Sequence, residues 1–167
     1  NNFDYYSNFI LEDLNILTSL ERFTELIDTP FSHNEYLYFI ERSGKIAVYN
    51  PVLADILWEL DINDTILGYL FSNKGYLILM TFNEILILSN KGNIINSYSH
   101  NKESPKTIFN LKKNIYLISE EGISKINLKD KREDIFYKNK FTSNLEIYFQ
   151  PQNIYLKDDK SLFKLSE

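Results

Sequence analysis

The chain has 167 residues, no cysteine and a formal net charge of -5 at pH 7, with a sequence pI near 5.1. Without thiols there is no disulfide, no thiolate nucleophile and no Cys-ligated zinc, and without a basic field nothing collects the phosphates of a nucleic acid. Twelve Tyr and twelve Phe within a 44% hydrophobic composition favour pleated, half-buried surfaces, so an all-β fold is expected.

In chain order, residues 1–30 come first and fit two patterns. Ile10, Leu14, Leu17 and Ile27 suit one face of a helix, whereas Thr18 and Thr24 suit a strand of a preceding blade. The start at Asn1 instead of Met is what a chain with further residues upstream would show. A first strand is expected over Phe23 to Ile27. It leads to an apolar triplet, Leu37-Tyr38-Phe39, that recurs as Leu77-Ile78-Leu79, Ile115-Tyr116-Leu117 and Ile154-Tyr155-Leu156, at spacings of 40, 38 and 39 residues.

Each triplet is followed eleven residues after its start by another apolar residue: Val48, Leu88, Ile126 and Leu165. Twenty-one residues after the first three starts stand Trp58, Tyr98 and Phe136. Turn signals separate these columns, namely Ser43-Gly44, Asn83-Glu84, Glu121-Gly122 and Asp158-Asp159, then Asn90-Lys91-Gly92 and Asp130-Lys131. A further strand precedes each later triplet, over Asp64 to Leu70, Lys106 to Asn110 and Thr142 to Phe149.

Four short strands in about 40 residues is the size of one propeller blade, which buries its faces only against neighbouring blades and therefore has to repeat. The expected fold is a β-propeller of about four four-stranded antiparallel blades. All of 1–167 belongs to it, with units starting near 37, 77, 115 and 154, as part of a larger ring of up to eight blades or with the chain's end swapping into its first blade. A sandwich of hairpins would also give short strands and frequent turns, but would not require an aromatic at one offset in three successive units. The ring of Trp58 is expected to pack between blades.

Chemistry-bearing patterns are sparse. His33 and His100 lie far from any His-x-x-x-His spacing and read as loop residues, and five glycines in all provide no phosphate cradle. No cofactor or metal site is expected. The carboxylate pairs Asp61 with Asp64, Glu120 with Glu121 and Asp158 with Asp159 fall at turns and read as turn formers. The run Lys129 to Asp134 mixes signs, as a solvated hairpin tip does. Asn63-Asp64-Thr65 has the form of a glycosylation acceptor at a length that arises by chance.

The stretch from Leu20 through Arg22, Glu25, Asp28 and Pro30, then Gly44 and Ala47, then Trp58, followed by Thr65-Ile66-Leu67-Gly68 and Asn73-Lys74-Gly75, resembles the pyrroloquinoline-quinone-like propeller repeat. More narrowly it resembles the BamB-type outer-membrane assembly lipoproteins, over roughly residues 20 to 137. Val52-Leu53 stands where that repeat has Thr-Gly, and Ile27 stands where the family has an acid.

The resemblance implies a non-catalytic, protein-binding scaffold of the outer-membrane β-barrel assembly machinery. It would be periplasmic, held at the outer membrane by a lipid anchor upstream of this chain, and bound to the barrel subunit. The docking loop would contain Arg22, Glu25 and Asp28, although Asp28 and Thr29 also suit a plain turn cap before Pro30. The alternatives are a quinone-dependent dehydrogenase sharing the repeat, or a propeller interaction subunit of another complex.

Overall fold

The computed structural model describes residues 25–27, 30–72, 74–100, 102, 105–111, 114–138, 140–141, 145–150, 153–159 and 161–165. Among these it contains fifteen strands and no helix. The first sheet runs β1 (Phe31–His33), β2 (Tyr36–Ile40), β3 (Lys45–Asn50), β4 (Asp55–Asp61). The second runs β5 (Ile66–Phe71), β6 (Leu77–Thr81), β7 (Glu84–Leu88), β8 (Ile94–Ser99). The third is β9 (Pro105–Leu111), β10 (Asn114–Ser119), β11 (Gly122–Asn127), β12 (Arg132–Lys138), and the fourth is β13 (Glu146–Gln150), β14 (Asn153–Lys157), β15 (Leu162–Leu165). Strand order in each sheet follows chain order, so every sheet is a meander. The chain divides into two compact units at Ile66/Leu67.

All four triplets occupy the second strand of their sheets, as the repeat predicts. Successive side chains on a strand face opposite ways, so a run buried throughout, as in β6, needs cover on both faces. The second unit shows that cover. Ile78, Met80, Ile85, Ile87 and Tyr98 of the second sheet pack with Ile108, Leu117 and Ile126 of the third. On the opposite face of the third sheet, Phe109, Tyr116, Ile118 and Ile123 pack with Ile154 and Leu156 of the fourth. In the first unit Leu37, Phe39, Ala47 and Tyr49 form one buried face, with Leu26 and Ile56 against it.

The register corrects three expectations. First, the eleven-residue offset marks true cross-strand partners in three sheets, Leu77 with Leu88, Ile115 with Ile126 and Ile154 with Leu165. In the first sheet Leu37 faces Tyr49, and Val48 faces Tyr38, because the Glu41–Gly44 turn holds one residue more. Secondly, β4, β8 and β12 each carry a bulge, at Leu57, Ile95 and Phe136, which shifts the later register by one.

The expected aromatic column breaks up, because the β2–β3 turn and the β3–β4 and β11–β12 connections each hold one residue more than their counterparts in the second sheet. Counted by rung, Tyr98 across from Ile85 corresponds to Tyr137 across from Ile123 and to Leu60 across from Ile46. Trp58 lies across from Val48, on the rung of Asn96, and is only partly buried. Phe136, at the bulge, meets the ring of Tyr116 edge-on at 5.1 Å and stays 40% exposed.

Thirdly, the strand before the first triplet is Phe31–His33, not Phe23 to Ile27. Leu26 makes an isolated bridge to Glu41, flanked by Ile27 N–H donating to the Ile40 carbonyl and Arg42 N–H donating to the Glu25 carbonyl. Pro30, which lacks an N–H, stands between the two paired stretches. Residues 1–24, and with them the helix-or-strand question, lie outside the described residues. The later preceding strands fall where expected, within about two to four residues of the expected ends.

A second repeat runs through the turns. Four residues after each triplet start stand Glu41, Thr81, Ser119 and Asp158, all buried and all polar. In the later three sheets the side-chain oxygen accepts N–H bonds from the turn that follows: Thr81 from Asn83 and Glu84, Ser119 from Glu121, and Asp158 from Ser161 at 2.7 Å. Glu41 accepts instead from Glu25 N–H and from the Ser43 hydroxyl at 2.8 Å. At the next hairpin Asn50, Ser89 and Asn127 do the same for Val52 and Leu53, Lys91 and Asn93, Lys129 and Asp130. Each oxygen satisfies backbone donors that the tight turn leaves unpaired.

Candidate functional site

The hairpin turn at Ser119–Gly122 and the end of β12 frame a cavity of about 340 Å³ in the third sheet. The turn brings Glu121 and Gly122 to its wall, β11 adds Ile123 and Ser124, and β12 contributes Ile135, Tyr137 and Lys138. Gly122, at φ 136°, holds a conformation that side-chain-bearing residues avoid, and faces Lys138 across the ladder. Lys102, ahead of β9, and Lys140, beyond β12, complete the wall.

Behind Lys102 stands Glu133. Its carboxylate accepts from the Lys102 ammonium at 2.8 Å and from the Tyr98 hydroxyl at 3.2 Å, and the ammonium also lies 3.6 Å from Glu121. Burial pushes the Glu133 carboxyl upward, but hydrogen bonds from Lys102, Ser124 and Tyr98, with the ammonium charge, outweigh it and hold it below its ordinary value. Burial also disfavours the Lys102 ammonium, and the bonds and charges of Glu133 and Glu121 more than offset that, raising it. Tyr98 is pushed up to about 12 by burial, then by the Glu133 charge and the bond between them. This trio is thus an ion pair with a neutral phenol over the physiological range.

Lys138 and Lys140 are exposed, and among the described residues neither makes an ion pair. Three ammonium groups against two carboxylates leave one positive charge at the cavity, on a chain whose net charge is negative. The expectations from sequence missed this site. Its lysines come from segments 36 residues apart in sequence, and the only local signal is the alternation Lys138-Asn139-Lys140, which gives an extended chain two ammonium groups on one side.

Of the expected docking residues, Glu25 is exposed with its backbone tied to Glu41 and Arg42, while Arg22 and Asp28 lie outside the described residues. The carboxylate pairs do form turns: Asp61 accepts from Asn63 N–H and Asp64 from Thr65 N–H. Glu120 and Glu121 reach Lys106 and Lys102. The charged tip keeps Asp130 bonded to Asn127, and Arg132 to Asp134 at 2.8 Å.

His33 departs from the loop position expected of it, whereas His100 keeps to its own, in the loop after β8. His33 ends β1 beside the Tyr38 ring, partly buried, and burial lowers its pKa. His100 is buried, with Nε2 3.2 Å from the Thr81 carbonyl, so that nitrogen carries the proton. Among the described residues no cluster of three or more His, Cys, Asp or Glu could hold a metal, and no helix is long and apolar enough to cross a membrane.

Four-stranded meanders that bury both faces against the next sheet are blades, and the fold is that of a β-propeller. No family model matches the chain, and no curated protein matches its sequence. Among solved structures the chain is similar to BamB from Moraxella catarrhalis, with a TM-score of 0.64 and 13% identity, over 83% of this chain and 45% of that one. It is also similar to the computationally designed Ika4 protein, with a TM-score of 0.62 and 10% identity, over 81% of this chain and 87% of that one. The chain thus spans less than half the length of that BamB, and at these identities the likeness is one of fold.

Proposed function

We propose that this chain is a non-catalytic, protein-binding propeller scaffold, acting in outer-membrane β-barrel assembly on the periplasmic side of the outer membrane. The fold-level likeness to BamB carries this reading, and the resemblance over residues 20 to 137 agrees with it. Physical economy supports it too. The inner strands are committed to packing between sheets, and what reaches the surface is turns and the outer strands β4, β8 and β12, where the exposed Leu57, Ile95 and Ile135 offer apolar surface that a partner could read. Arg22, Glu25 and Asp28 form the proposed docking loop.

Binding of the purified barrel-assembly subunit's soluble domains to this chain tests the reading. The intact chain should retain them, and charge reversal through Arg22→Glu with Asp28→Lys should weaken retention by about tenfold or more. Full retention by the double variant sinks the loop. No retention by the unaltered chain sinks the assembly role.

A further inference from the structure

We propose that the cavity between the Ser119–Gly122 turn and the end of β12 receives a single carboxylate side chain from an acidic, apolar-flanked segment of a partner protein. The proposal rests on the scaffold reading and names what one of its surfaces recognises. Lys102 is fixed in place, its side chain 16% exposed and bound to Glu133 and Glu121, so presenting this cation costs little ordering on binding. The two carboxylates more than balance its single charge. Lys138, at the strand end, and Lys140, two residues beyond it, offset the excess carboxylate and leave one positive charge over.

The charge balance selects the ligand. One surplus positive charge is neutralised by one carboxylate, whereas a phosphate dianion would leave an excess negative charge beside Glu121. The wall is also not purely ionic. Ile135 is 66% exposed and Tyr137 only partly buried, so the residues flanking the acid find apolar surface next to the ammonium groups. A volume of about 340 Å³ takes one side chain and its neighbours, not an extended chain. On a chain whose net charge is negative, a local surplus of positive charge favours acidic segments at this place.

The test uses a dye-labelled peptide with one aspartate between two phenylalanines, its asparagine twin, and inorganic phosphate as competitor. The aspartate peptide should bind the full chain about tenfold more tightly than the twin. The Lys138→Gln, Lys140→Gln double variant should lose the same factor while its melting temperature stays unchanged, since both side chains are exposed. Equal binding of the twins, undiminished binding by the double variant, no binding by the unaltered chain, or displacement by phosphate at equal concentration would each overturn the proposal, the last in favour of a free-anion site. Peptide binding without retention of the barrel subunit removes the assembly reading alone; retention of the subunit by the Lys138, Lys140 variant removes the cavity alone.

Discussion

Tyr98 holds its proton to about pH 12 because the charged form would be buried beside Glu133, whose carboxylate repels a phenolate and binds the phenol. A phenol raised from 10.0 in the unfolded chain contributes stability that is whole below pH 10 and is lost as pH rises towards 12. Lys102, also raised, acts in the same direction, and Glu133, held low, loses its contribution only as pH falls through its folded value. Replacing Tyr98 by Phe should therefore flatten the fall in urea-unfolding free energy between pH 10 and 12, with little change in its slope near neutrality. An alkaline limb unchanged in Tyr98→Phe would show that the phenol is not the titrating group. None of this trio was legible in the sequence. Tyr98 was expected to be one more packing ring, and Lys102 and Glu133 stand 31 residues apart with nothing local to join them. Trp58, by contrast, is easy to single out and carries less, because the β2–β3 turn and the β3–β4 connection each hold one residue more than in the second sheet and so move it two places off the rung of Tyr98.

At the scale of the element, triplets and turn residues were readable because strand period and turn chemistry are local properties. Register was not, because it depends on the count of residues inside turns and bulges. One extra residue in the Glu41–Gly44 turn suffices to pair Val48 with Tyr38 instead of Leu37. The buried polar residue closing each second strand was on view in Glu41, Thr81, Ser119 and Asp158, but only as a column once the triplets are aligned. The β1–β2 hairpin shows a turn whose sequence and conformation disagree. Asn34 at φ 50° and Glu35 at φ 68° both occupy the left-handed region, the pattern of a two-residue mirror-image turn that favours Asn-Gly. Asn34 suits its place and Glu35 is strained there. Glu35→Gly should accordingly raise stability by about 0.5–1 kcal/mol, the relief of strain exceeding the added freedom of the unfolded chain. A urea midpoint that falls in this variant would mean that the exposed Glu35 side chain does something for the hairpin that its backbone angle hides.

At the largest scale, the repeat predicts, within the second unit, a nearly one-dimensional flow of stabilising contacts, each sheet speaking to the next through the face they share. The third sheet makes this testable because its two faces belong to different clusters. Ile118 lies with Leu156 of the fourth sheet, while Met80 lies in the cluster on the other side, shared with the second sheet. Truncations that enlarge one cavity interact, since the walls relax together, and truncations in separate clusters do not. A double-mutant cycle of Ile118→Ala with Leu156→Ala should therefore show a coupling of about 0.5–3 kcal/mol, whereas Ile118→Ala with Met80→Ala should add within about 0.5 kcal/mol. Each single truncation should itself cost about 2–5 kcal/mol in urea unfolding. Equal coupling in both cycles would mean that β10 transmits packing changes through its backbone from face to face, and the sheets would then have to be treated as one core instead of a row of separate seams.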